Sequence, residues 1–158
     1  MLMKRVDSNY LSLALMYFFL LGCMHFKPPI KVQERQGIQG QVLEQKGNKM
    51  PQKARALSKG EGYATQVYIF EPTTIQSAEQ LSGSIFKLPS THLIGVYTTD
   101  SIGQFRVQLN PGKYSVFAKY LNGYYAASFN QLNELGIVQV LPGTYTAIDV
   151  IISAKASY

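Results

Sequence analysis

Apolar and polar residues alternate at every second position through much of the C-terminal two-thirds of this chain. The clearest run is 104–120. Phe105, Val107 and Leu109 fall on one side and Arg106 and Gln108 on the other; then Tyr114, Val116, Ala118 and Tyr120 alternate with Ser115, Phe117 and Lys119. A period of two marks β-strands with a buried face. Between the two runs, Asn110-Pro111-Gly112 predicts a turn, because proline fixes φ and glycine tolerates positive φ. The same reading predicts strands over 37–44, 64–71, 93–99, 124–129, 137–141 and 145–153. Ile38 and Val42 share a face in the first of these, and Ile148, Val150 and Ile152 are in step in the last. Asp100-Ser101-Ile102-Gly103 predicts a hairpin turn joining 93–99 to 104–109, with the Asp100 side chain bonding its own backbone. Asn122-Gly123 and Pro142-Gly143 punctuate the later strands.

Two stretches break the rhythm. Residues 52–62 are polar, basic and glycine-containing, and read as a long loop. Residues 72–90 form an insertion between strands. Within it, Ile75, Ala78 and Leu81 recur every third residue behind Thr73 or Thr74, predicting a short helix over 74–81 closed by Ser82-Gly83. Residues 84–88 predict a short edge segment ended by Pro89. Seven or eight short strands separated by turn signals, without long helical periods, predict an all-β antiparallel sandwich. Its two sheets would face each other through their alternate apolar side chains.

The N-terminal region has another pattern. Lys4 and Arg5 precede an apolar run over 11–21, and Gly22-Cys23 follows. A basic start, a short apolar stretch and a small residue before a cut site describe a secretory signal peptide over 1–22. The run is about 11 residues, short of the roughly 20 that a spanning helix needs. Leu20-Leu21-Gly22-Cys23 resembles the lipobox of bacterial lipoproteins. That resemblance implies cleavage before Cys23, a diacylglycerol on its thiol and fatty acyl chains such as palmitate as the membrane anchor. Residues 23–36, with Pro28-Pro29, would then be a lipidated tether. The sandwich would occupy 37–158.

Composition narrows the class. Removing 22 of the 158 residues leaves 136, the size of one domain. Charged residues are only 15% and the aromatics are Tyr and Phe without Trp, a composition leaning to β. The net charge is +6, with much of the excess between Lys27 and Lys59, beside the expected anchor. Such a segment suits a solvated tether or the anionic headgroups of a membrane. No nucleic-acid recognition motif accompanies it, so no nucleic-acid partner is expected.

Beyond the leader, Gly37-Ile38-Gln39-Gly40-Gln41-Val42, Gly47-Asn48-Lys49-Met50-Pro51 and Val67-Tyr68-Ile69 resemble the opening of carboxypeptidase regulatory-like domains. Thr99-Asp100-Ser101-Ile102-Gly103-Gln104-Phe105 resembles their T-D-x-x-G-x-F hairpin, and Leu109-Asn110-Pro111-Gly112-Lys113-Tyr114 their L-P-P-G-x-Y turn. The resemblance covers about 37–153. It implies a seven-stranded prealbumin-like (transthyretin-like) sandwich serving as a structural or interaction module, and the insertion over 72–90 departs from it.

Catalytic chemistry has few carriers here. His25 and His92 lack metal-ligand spacing, a G-x-S-x-G elbow is absent, and the single thiol is the expected lipid site. Glu61, Glu71, Glu79, Asp100, Glu134 and Asp149 are scattered without a calcium-loop signature. Asp149 would suit an isopeptide bond, but the first strand offers no lysine to bury beside it. The expectation is therefore no catalytic residues, no metal and no cofactor. Tyr124 and Tyr125, which follow a glycine turn and point to opposite faces, are the candidate contact surface. The expected function is a non-enzymatic lipid-anchored envelope module with a structural or protein-interaction role. It would face the periplasm from the outer membrane and engage the membrane through Cys23 and an envelope protein. The alternative is a carbohydrate-binding module using exposed Tyr or Phe.

Overall fold

The computed structural model describes residues 35–48 and 59–157, with side chains described for 35–46 and 59–154. The expected leader, Cys23, His25 and most of the tether lie outside the described residues. So does most of the 52–62 loop.

Among the described residues, eleven strands are arranged in two sheets. Sheet A holds β1 (Gly37–Asn48), β2 (Glu61–Gly62), β7 (Gln104–Gln108) and β11 (Tyr145–Ser157). Sheet B holds β3 (Gln66–Phe70), β4 (Gln80–Ser82), β5 (Ile85–Phe86), β6 (Leu93–Thr98), β8 (Gly112–Tyr120), β9 (Gly123–Tyr125) and β10 (Ile137–Val140). The all-β sandwich expected from the alternation is thus present. Seven of the strands have four residues or more, and β2, β4, β5 and β9 are shorter. All ladders are antiparallel except β1 with β11, which run parallel from Gly37↔Tyr145 to Asn48↔Ser157 with a register irregularity between Glu44 and Lys46.

Alternation fills the space between the sheets. Sheet A contributes Ile38, Val42, Phe105, Val107, Val150 and Ile152; sheet B contributes Val67, Ile69, Val116, Ala118, Tyr120, Tyr125, Val138 and Val140. Burying such side chains supplies the main driving force, about 25 cal/mol for each Å² of apolar area.

The turn at residues 100–103 forms, but it does not close a ladder-paired hairpin. β6 pairs with β3 in sheet B, whereas β7 pairs with β1 in sheet A. The chain crosses from one sheet to the other at Asp100 and crosses back at Asn110-Pro111-Gly112. Alternation cannot distinguish these cases, since a strand buries one face whether its sequence neighbour lies beside it or opposite. The Asp100 carboxylate accepts hydrogen bonds from the Ile102 and Gln104 amides at 3.0 and 2.7 Å. Gly103 sits at φ +80, where a Cβ would come within 2.3 Å of the Val42 carbonyl. At the second crossing, the Tyr114 hydroxyl donates to the Asn110 carbonyl at 2.9 Å. Asp100→Ala is expected to cost about 1–2 kcal/mol, read as a lower denaturant midpoint with an unchanged slope.

The insertion also departs from expectation. The helix predicted over 74–81 is one 3₁₀ turn, η1 (Ile75–Ser77), after which the chain extends into β4 and returns through Gly83 as β5. Thr74 and Ser77 cap each other across that turn, and the Ser77 hydroxyl also donates to the Thr74 carbonyl at 2.9 Å. These local bonds favour a single capped turn over a continued helix. β5 is not an edge, because β9 pairs on its other side. The predicted strand over 124–129 shortens to β9, leaving Phe129 with only an isolated bridge to Leu135.

The insertion covers the outer face of sheet B. Phe70, Phe117, Phe86, Ala78, Ala126 and Leu135 form a second buried cluster there. Phe117 meets Phe70 edge to face at 5.6 Å and Phe86 at 6.3 Å. Thr73 anchors the start of the insertion: its amide donates to the Ser115 hydroxyl at 2.9 Å, and its carbonyl accepts from the Leu135 amide at 2.7 Å.

Candidate functional site

Tyr124 and Tyr125 part company in the structure. Tyr125 lies in the inter-sheet core at 3% exposure, its hydroxyl 3.2 Å from that of Ser153, so it contributes no contact surface. Tyr124 is half-buried on the outer face of sheet B. Its ring meets Tyr68 nearly perpendicularly at 4.9 Å, and the Lys119 ammonium stands over it at 4.3 Å. The Tyr68 hydroxyl donates to Gln66 Oε1 at 3.1 Å. Burial, with Tyr124 adding to it, raises the Tyr68 pKa above the usual tyrosine value. This side of the Tyr124 ring is therefore already occupied by a cation.

Two residues not singled out in the sequence are the most exposed large apolar side chains described. Phe129 is 70% exposed and Leu132 68%. Both sit on the loop between β9 and β10, which its own hydrogen bonds hold. Asn130 Oδ1 accepts from the Leu132 amide at 2.9 Å and the Glu134 amide at 3.0 Å, while Nδ2 donates to Glu134 Oε2 at 2.7 Å. Backbone bonds join Asn130 to Glu134 and Asn133 to Asn130, and Asn133 adopts φ 57, a conformation asparagine tolerates better than most residues. Behind the loop lies a cleft of about 280 Å³ walled by Ile75, Phe86, Ala126, Phe129 and Leu135. The signal was present in Asn130-Gln131-Leu132-Asn133-Glu134, where Asn flanks an apolar residue, but a strand extended to 129 concealed it.

Glu44 was also missed. It continues the inward series Ile38, Gly40, Val42 and is only 4% exposed. Tyr120 donates its hydroxyl to Glu44 Oε1 at 2.8 Å, and Lys46 pairs with Oε2 at 2.9 Å. Burial and then the hydrogen bond to Glu44 push the Tyr120 pKa to about 12. The group is a satisfied network at the end of the core, with a neutral phenol and a paired carboxylate.

Of the other acids, Glu61 shares Lys46 with Glu44, whereas Glu79 and Asp149 have lysines of their own. Glu79 pairs with Lys87 at 2.7 Å, Glu61 with Lys46 at 4.0 Å, and Asp149 with Lys59 at 3.2 Å. Asp149 thus does have a lysine neighbour, supplied by the segment before β2 and not by β1. Lys59 and the Asp149 side chain are open to water, which suits an ion pair and not an amide bond. His92 is exposed, and its carbonyl accepts from the Glu71 amide at 3.0 Å. Among the described residues, no three of His, Cys, Asp and Glu converge as for a metal ion.

Comparison of the chain with protein-family models, with curated proteins and with solved structures gave no match.

Proposed function

We propose that this chain is a non-enzymatic, lipid-anchored module of the bacterial cell envelope that works by protein contact, with its body built on the prealbumin-like plan of carboxypeptidase regulatory-like domains. The anchor is Cys23, at the end of the basic-then-apolar leader, and it places the sandwich on the periplasmic side of the outer membrane. The observation that carries the interaction role is the loop at residues 128–135. A fold that spends five local hydrogen bonds on holding Phe129 and Leu132 out in water presents two rigid apolar anchors, the kind of residues that dominate protein interfaces. The glycan-binding alternative, which needs exposed Tyr or Phe, keeps Phe129 as a platform but loses Tyr124, over whose ring the Lys119 ammonium already stands.

Two measurements on the membrane-extracted protein test this reading. Its intact mass should correspond to a chain beginning at Cys23 and carrying acyl groups, and Cys23→Ser should remove them. A photo-crosslinker at position 129 should give a discrete protein adduct that one at the exposed Leu141 does not. An unacylated chain would refute the anchor, and equal labelling from both positions would refute the contact loop.

A further inference from the structure

We propose that β6 is a self-pairing edge, through which two copies of the chain join sheet B to sheet B across a two-fold axis at Val96. β6 ends the seven-stranded sheet: β3 lies on one side of it, and among the described residues nothing pairs on the other. The direction of its free groups follows from the ladder. The Thr99 amide donates to the Thr65 carbonyl at 2.9 Å, so by alternation Tyr97 and Gly95 also turn their backbone groups to β3. Val96 and Thr98 turn theirs outward, as an unpaired donor and acceptor row of the kind that templates another strand.

The chemistry of the edge selects the occupant. Leu93-Ile94-Gly95-Val96-Tyr97-Thr98 carries no charge and no proline, and Leu93, Ile94 and Val96 are all exposed, Val96 at 40%. Most other strands that end a sheet or border its open side are guarded by charge or irregularity. The uncharged β10 is only four residues long, with the Thr146 hydroxyl donating to its Gln139 carbonyl at 2.7 Å. β11 carries Asp149, paired with Lys59; β7 carries Arg106, lying over Tyr145; β4 has an irregular register and is flanked by the Glu79–Lys87 pair. Charges and irregularities of that sort hinder edge-to-edge pairing; β6 carries no charge, and its own register irregularity, at Ile94, is confined to its first residues and leaves 95–98 regular. A charge-free strand meets no like-charge repulsion from its own copy, and a two-fold contact closes after one partner.

Antiparallel pairing about Val96 sets Val96 against Val96 of the second copy. The two Val96 residues then exchange both backbone hydrogen bonds. Val96 lies opposite Tyr68 within sheet B, so the outer face would continue from Tyr68 across both valines to Tyr68 of the second copy. This rests on the edge alone and is independent of the anchor at Cys23.

The test uses the full chain in detergent, carrying Cys23→Ser so that no other thiol is present. Sedimentation should give twice the chain mass, with dissociation on dilution. Val96→Lys would place two ammoniums face to face and should raise the dissociation constant about tenfold or more, while an unchanged circular dichroism spectrum reports an intact fold. Leu121→Lys, at an exposed turn, should leave the mass unchanged. Mild oxidation of Val96→Cys should give a covalent dimer, because directly paired Cα atoms lie about 5.5 Å apart, within disulfide reach; Leu121→Cys should not. A single-chain mass at every concentration, a dimer indifferent to Val96→Lys, or equal crosslinking from positions 96 and 121 would each overturn the proposal.

Discussion

Truncating Phe117 to alanine is expected to lower the unfolding free energy by about 3–5 kcal/mol. That is a large share of the 5–15 kcal/mol typical of a domain. The residue is fully buried, yet it lies on the opposite face of β8 from the inter-sheet core. Its ring is the common partner of Phe70 from β3 and Phe86 from the insertion. Removing it opens a void between a sheet and its cover, and the cover has no other large apolar neighbour on β8. The loss should therefore be uneven. Hydrogen exchange should accelerate across residues 73–91 and 126–136 well before it does in β1 and β11. Uniform acceleration, or a loss below about 1 kcal/mol, would mean that the insertion is ornamental.

Tyr120→Phe should change the pH dependence of stability as well as its size. In the folded chain the Tyr120 proton is held to about pH 12, because burial and the Glu44 carboxylate both oppose a phenolate; the ordinary value is 10.0. A pKa raised by folding stabilises fully below the unfolded value and loses its contribution as pH rises through the folded one. Tyr120 therefore adds roughly 2–3 kcal/mol below pH 10 that is lost between about pH 10 and 12. In Tyr120→Phe that alkaline loss should shrink to the smaller part left by Tyr68. At neutral pH the variant should be about 1–3 kcal/mol less stable, since Glu44 loses a buried hydrogen-bond donor. Denaturant unfolding at pH 7, 10 and 12 reads both effects. Parallel pH profiles for the two proteins would show that the phenol does not titrate with folding.

The strands that bury one face were legible in the chain because alternation reports a face directly. Ile38 with Val42, Phe105 with Val107, and Val150 with Ile152 all point inward as their spacing implies. Which strand lies beside which was not legible, and the turn at Asp100 shows why: its residues specify a reversal, not the sheet that receives the next strand. The insertion misled for another reason. A three-residue apolar spacing suits a helix, but Ile75, Ala78 and Leu81 reach their places through one capped turn and a strand, with Leu81 left exposed. Of the candidate tyrosines, opposite orientation was readable from adjacency. That Tyr125 faces the core depends on β9 pairing with β8, a long-range fact. Glu44 could have been found by extending the inward series of β1 two residues further.

The parallel union of β1 and β11 has a mechanical corollary. One strand enters the body at Gly37 and the other ends at Ser157, at opposite ends of the same ladder. Tension applied between those two points slides the strands lengthwise past each other, loading their hydrogen bonds together and not peeling them one by one. A body tethered at its front and pulled from its rear would thus resist force in its stiffest direction.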